Sequence, residues 1–150
     1  MNKRGVTEMD CFGCRLANGK EHIFSVYEDY WVNGFLDHDP WNEGHVLIMP
    51  KEHARYIEDM DEETQSALMQ AASILSKAVK QLSRPDGISI CQNGGTFDEL
   101  THFHMHIVPR YDGEDFASFY SESEWENHHL KNTLSLTQEK LKKIISRLKG

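Results

Sequence analysis

Three histidines occupy alternate positions in the segment Thr101-His102-Phe103-His104-Met105-His106-Ile107-Val108-Pro109-Arg110. Imidazole titrates near neutrality, so at pH 7 it can serve as nucleophile, base or metal ligand. In an extended strand, residues i, i+2 and i+4 share a face. The pattern therefore predicts His102, His104 and His106 in a row on one accessible face, about 6–7 Å apart at Cα. Phe103, Met105 and Ile107 then pack into the core behind them. Two chemistries suit such a row. One is a metal site built on H-x-H. The other is attack by a neutral imidazole on an electrophilic phosphorus. An incidental half-exposed strand is the third reading, although histidine is not a favoured strand residue.

Cysteine supplies a second cluster. Cys11 and Cys14 form a C-x-x-C pair, and with a distant histidine such as His53 they make a zinc-ligand pattern. The redox alternative calls for a thioredoxin-like βαβ setting, which the order of elements does not offer. Cys91 stands alone in an apolar stretch and reads as a small buried hydrophobe. Three cysteines cannot form a complete disulfide framework, and no apolar stretch follows Lys3 and Arg4 at the N-terminus. A reducing, cytoplasmic setting is expected.

These residues must be held by a scaffold, and the hydrophobic pattern outlines one. Ile23 to Tyr27 and Tyr30 to Leu36 read as a hairpin turning at Glu28-Asp29. Residues 37–44 form a Pro- and Gly-punctuated loop, and His45 to Met49 is a strand stopped by Pro50. Asp61 to Ser83 is predicted as a long helix. Its apolar face is Leu68, Ala71, Ala72, Leu75, Ala78, Val79 and Leu82, with acidic residues at its start and Lys77 and Lys80 near its end. Ile88 to Gln92 reads as a buried strand, Asn93-Gly94-Gly95 as a loop, and His102 to Val108 as the histidine-bearing strand. Residues 111–134 are irregular, acidic and aromatic, with Tyr111, Phe116, Phe119, Tyr120 and Trp125 either covering a site or forming a subunit contact. Thr137 to Leu148 is an amphipathic helix presenting Leu141, Ile144, Ile145 and Leu148. One long helix among short strands implies an α+β fold with a mostly antiparallel sheet of about five strands. The expected divisions are a loose N-terminus at 1–10, a catalytic unit at 11–110 and an extension at 111–150 packed on it.

Size and charge narrow the function. The chain has 150 residues, 24 acidic and 16 basic, for a net charge of -8. That charge argues against binding a nucleic-acid polymer. The longest strongly apolar run, Val46 to Met49, is too short to cross a membrane. With 39% hydrophobic and 27% charged residues, the composition is that of a folded globular chain.

The segment His102-Phe103-His104-Met105-His106-Ile107-Val108 resembles the signature of the histidine triad, or HIT, superfamily of nucleotide hydrolases and transferases. Phe35-Leu36-Asp37, Gly44-His45-Val46-Leu47-Ile48-Met49-Pro50-Lys51 and Asn93-Gly94-Gly95 extend the resemblance in the family's order, from Cys11 to about Arg110. The resemblance implies that His104 is a nucleophile attacking the α-phosphorus of a nucleotide. It implies that His106 hydrogen-bonds phosphate, that His45 supports the catalytic cluster, that Asp37 accepts ribose hydroxyls and that Asn93 lines the phosphate site. Dinucleoside polyphosphates and nucleoside phosphoramidates are the substrate classes it offers. The alternative is a non-catalytic zinc- and nucleotide-binding protein of the same fold.

A zinc-binding branch of the superfamily is similar here too. It implies one structural zinc held by Cys11, Cys14, His53 and His102. The family also implies a homodimer paired through the long helix and an edge strand. The chain departs from the family between Asn93 and His102. Thr96-Phe97-Asp98-Glu99-Leu100-Thr101 replaces a longer loop with a Gly-Gln pair. Unless Asp98 and Glu99 point outward, their charges would oppose a phosphate. Trp31 and Trp41 could stack on a base, but core packing is the expectation for both.

Overall fold

The computed structural model describes residues 10–120 and 127–150. The expected loose N-terminal residues 1–9 and Trp125 lie outside them. Helix α1 spans Phe12–Ala17, followed by strands β1 (Ser25–Glu28), β2 (Val32–Leu36) and β3 (Val46–Pro50), helix α2 (Glu62–Ser83), strands β4 (Gly87–Cys91) and β5 (Met105–Arg110), and helices α3 (His128–Lys131) and α4 (Leu134–Lys149). The strands form one five-stranded sheet in the order β1-β2-β3-β5-β4, antiparallel at every pairing. This is the α+β architecture that the pattern predicts.

Strand alternation divides the sheet into two chemically different faces. Val32, Leu36, Val46, Ile48, Met105 and Ile107 share the main core with Leu68, Ala71, Ala72, Leu75, Ala78 and Val79 of α2 and with Leu134, Leu141 and Ile145 of α4. Phe35 and Met49 pack instead with Leu16 and Ala17 of α1, with Leu47 beside them. In this register Leu47 lies opposite His106, and Cys91 lies opposite it on the other side.

Helix α2 starts where Asp61, as N-cap, accepts the Thr64 N–H at 2.9 Å. It ends at Arg84 in the left-handed region. It packs tightly on the sheet at Gly34, where a Cβ would lie 2.9 Å from Cδ1 of Leu75. Each large apolar side chain buried at this contact contributes roughly 1.5–3 kcal/mol.

Four expectations change. Strand β4 is an edge strand and only half-buried, with Ile90 54% exposed, because its outer side has no neighbouring strand. Leu148 is exposed because it lies beyond the last buried turn of α4 at Ile145. Trp31 stands exposed at the β1–β2 turn, edge-on to Tyr30, whereas Trp41 is half-buried against Phe116 and Phe119. Helices α1 and α3 have no counterpart among the predicted elements, α3 falling in the stretch expected to be irregular. Cys91 is buried with Val108 and Phe119, as expected.

Candidate active site and metal centre

The histidine row is broken at its first member. Strand β5 begins only at Met105. Thr101, a β-branched residue, takes a left-handed backbone conformation (φ 57°), an arrangement that costs about 1–3 kcal/mol. Two residues on, the Phe103 N–H donates to the Ala54 carbonyl at 2.7 Å. The turn takes His102 away from the accessible row and into the protein, where it is fully buried. His104 and His106 remain at a groove, with 16% and 14% of their side chains exposed and ring centroids 5.2 Å apart.

Hydrogen bonds assign the ring protons. Nδ1 of His104 lies 2.9 Å from the His102 carbonyl, so Nδ1 carries the proton and donates it. The lone pair of His104 is therefore on Nε2. The Trp41 N–H donates to Nδ1 of His45 at 2.9 Å, so neutral His45 carries its proton on Nε2. That Nε2–H donates to Nδ1 of His106 at 2.9 Å. His106 must then be protonated on Nε2, leaving it a donor. One imidazole offers an electron pair and its neighbour offers a proton.

Burial keeps this pair of rings neutral. It lowers the pKa of His45 to about 3 and that of His106 to about 2, with the neighbouring imidazoles adding to the effect on His106. Phe119 packs against both rings, at centroid distances of 5.8 and 5.4 Å. The aromatic segment after Arg110 thus covers this end of the histidine cluster. Asp37 is pushed up to about 6, chiefly by burial, although 17% of its side chain remains exposed. Its Oδ1 accepts the Asp39 N–H at 2.8 Å, and its Oδ2 lies 3.5 Å from Nε2 of His45.

Asp37, His45 and His106 also have donor atoms close enough to suggest a cation site. The tautomers oppose it. The nitrogen of His45 that faces the cluster carries a proton, and its lone pair is occupied by the Trp41 N–H.

The groove has a volume of about 530 Å³. Asp37, His104 and His106 lie on one part of its wall, and Phe35, Leu47, Met49, Phe12, Leu16 and Leu100 give it an apolar surface. His22, His38 and Glu21 complete it. Asn93 is half-buried in the loop after β4 and is not among these lining residues. Glu99 is exposed, but Asp98 is buried and turned toward His104, so the two acids do not share the outward orientation that would clear a phosphate.

The cysteines meet His102 on its other side. Nδ1 of His102 lies 3.4 Å from Sγ of Cys11 and 3.5 Å from Sγ of Cys14, and Nδ1 of His53 lies 3.4 Å from Sγ of Cys14. All four donor atoms lie within 4.8 Å of one another. With zinc bonds of ordinary length, a tetrahedral S₂N₂ site has S···N edges of about 3.5 Å. Nε2 of His102 donates to the Pro50 carbonyl at 2.8 Å, which leaves the Nδ1 lone pair facing the sulfurs. The Cys14 N–H points at Sγ of Cys11 at 3.3 Å. Gly13 permits the approach, since a Cβ there would lie 2.3 Å from Cβ of His102. Donor chemistry, spacing and tautomer are all compatible with zinc.

Of the candidate residues, the structure brings together Cys11, Cys14, His53 and His102 in one cluster, and Asp37, His45, His104 and His106 at the other. Phe119, expected over a site or at a subunit contact, covers the rings of His45 and His106. Two further participants were not placed from the sequence: the Trp41 N–H and the inward carboxylate of Asp98. An Asp two residues before a turn donor is a recognisable local signal for the last. Long-range packing leaves no such signal for the first.

A model of the HIT domain matches residues 18–113. A HIT-like protein of Methanocaldococcus jannaschii is 35% identical over 106 residues, covering 69% of this chain and 81% of that one. The adenosine 5'-monophosphoramidase HNT1 of Saccharomyces cerevisiae is 31% identical over 114 residues, covering 75% and 70%. A zinc-bound histidine triad family protein of Mycobacterium smegmatis superposes with a TM-score of 0.76 at 26% identity, covering 95% of this chain and 98% of that one. Signature, fold and relatives converge, and the chain belongs to the HIT family.

Proposed function

We propose that this protein is a nucleotide hydrolase that cleaves next to the α-phosphate through a nucleotidyl intermediate on His104. The observation that carries the reading is the bond from Nδ1 of His104 to the His102 carbonyl. It fixes the ring so that the free lone pair on Nε2 serves as the nucleophile. Neutral imidazole attacks phosphorus without prior deprotonation and departs readily when water follows. Nε2–H of His106, oriented through His45 and the Trp41 N–H, supplies a hydrogen bond to a phosphate oxygen as charge grows there. Asp37, at the groove edge, is assigned to the ribose hydroxyls, and Asn93 to the phosphate from its loop.

The substrate class is a nucleoside phosphoramidate or a dinucleoside polyphosphate. The naming of the yeast relative favours the phosphoramidate. We assign one structural zinc to Cys11, Cys14, His53 and His102. A zinc so held has no open position for water and ties α1 to the segment leading into β5. No catalytic step passes through it. We also propose a homodimer, with the outer edge of β4 and the neighbouring long helix as its contact, and a cytoplasmic location in which the cysteines stay reduced.

The test is turnover. Purified protein is incubated with adenosine 5'-phosphoramidate and with diadenosine tetraphosphate, and AMP is quantified. Release of AMP from at least one, abolished in His104→Ala, is expected. AMP binding with no turnover of either substrate would replace the hydrolase with a nucleotide-binding protein.

A further inference from the structure

Asp98 lies in the short loop that leads from the 3₁₀ turn Gly95–Phe97 to His102, and its side chain has no exposed surface. Its Oδ1 accepts the Leu100 N–H at 2.9 Å. Its Oδ2 is buried without a hydrogen-bond partner. Oδ1 also lies 3.8 Å from Nδ1 of His104, the one ion-pair partner of Asp98 among the described residues. The turn requires a single acceptor, which a neutral Asn or Ser would supply equally well. A carboxylate there carries a desolvation cost, and one of its oxygens is left unpaired. Local structure therefore explains the acceptor but not the charge.

We propose that Asp98 is a positioning residue for His104, whose carboxylate stabilises the positive charge that the imidazole acquires when Nε2 bonds to phosphorus. This rests on the reading of His104 as the nucleophile. In the first step the Nε2 lone pair forms the N–P bond. The bond from phosphorus to the leaving group breaks, and the leaving group departs with that electron pair and takes a proton from water. Nδ1 keeps its own proton, so the ring becomes cationic. In the second step water attacks phosphorus, its proton passes to solvent, and the N–P pair returns to Nε2. A fixed negative charge beside Nδ1 favours the cationic ring in both transition states, in a site from which much of the water is excluded. The loop in which the chain departs from the family's Gly-Gln pattern thereby acquires a role behind the nucleophile.

The experiment compares full-length wild type, Asp98→Asn, Asp98→Ser and His104→Ala with adenosine 5'-phosphoramidate. Rates are normalised to the folded fraction from thermal melts, and AMP affinity is measured by calorimetry. Asn and Ser both keep an acceptor for Leu100 while removing the charge. For both we expect kcat to fall at least about tenfold, with KM and AMP affinity within about twofold of wild type. Wild-type kcat in either neutral variant, alongside an inactive His104→Ala, would overturn the role of Asp98 and leave the nucleophile in place. A loss confined to KM would overturn it as well. Activity that survives in His104→Ala would instead remove the nucleophile reading on which the proposal stands.

Discussion

His104 and His106 differ by one position of the strand repeat, yet their protons are assigned oppositely, and their variants should differ accordingly. On the proposed mechanism His104→Ala removes the attacking nitrogen and is expected to lower kcat to background, with nucleotide affinity retained. On the same mechanism His106→Ala removes the hydrogen bond proposed to meet charge in the transition state and is expected to lower kcat by about 10²–10³. Equal residual activity in the two would contradict the assignment. The same burial that keeps His106 neutral has a consequence for stability. Unfolded, His45 and His106 take up protons near pH 6.5; folded, they do so only near pH 3 and pH 2. Between those values the unfolded chain binds more protons, so stability is full above pH 6.5 and falls as pH drops, by at most about 1.4 kcal/mol per pH unit for each group. Asp37, raised from 3.8 to about 6, acts in the opposite sense between those two values, because there the folded chain binds the extra proton. His106→Asn is therefore expected to lose less melting temperature than wild type on going from pH 7.5 to pH 5.0. An unchanged pH dependence would show that folding leaves the proton affinity of His106 unaltered. The residue types of both clusters were legible in the sequence, since C-x-x-C and alternating histidines are local patterns. The ring tautomers were not, because the Trp41 N–H and the His102 and Pro50 carbonyls that set them are backbone groups brought in by the fold.

At the scale of elements, helix α2 was readable almost to the residue because period, acidic start and N-cap all agree over six turns. Helix α1 was not. It has only six residues, too few for hydrophobic periodicity, and Cys11 caps it through sulfur. The histidine strand was misplaced for a different reason. Alternation continues through His102 in the sequence, but Thr101 turns the backbone, and the Cys11–Cys14 pair claims the His102 ring. If zinc holds this cluster, its binding energy is also folding energy. Cys14→Ser is then expected to lose zinc and melt earlier by metal analysis and calorimetry, while activity per folded molecule changes less. A metal-free wild type of unchanged stability, with Cys11 and Cys14 freely reactive toward thiol reagents, would remove the zinc. The helix–sheet contact is tested at Leu75, which is fully buried against Gly34. Leu75→Ala is expected to cost about 2–5 kcal/mol in denaturant titration with nucleotide binding kept in the folded fraction. A cost below about 1 kcal/mol would mean that this face is not packed as described.

Over the whole molecule, two sheet faces divide the work. One is buried under α2 and α4 and supplies the main core; the other, with α1, forms the groove and carries the histidines. The outer edge of β4, with Ile90 exposed, is available for a second copy of the chain. Light scattering is expected to give twice the 17.4 kDa chain mass, and a mass of one chain would exclude the dimer. Fold class was legible from element order alone, whereas β4 as an edge was not, since its apolar run reads the same in the middle of a sheet. The mechanism assigned to His104 requires two in-line displacements at phosphorus, one by imidazole and one by water. Hydrolysis of a nucleotide chiral at its α-phosphorothioate, in isotopically labelled water, reads that number directly. Retention of configuration at phosphorus is the expected result, and inversion, the outcome of a single attack by water, would contradict a nucleotidyl-histidine intermediate.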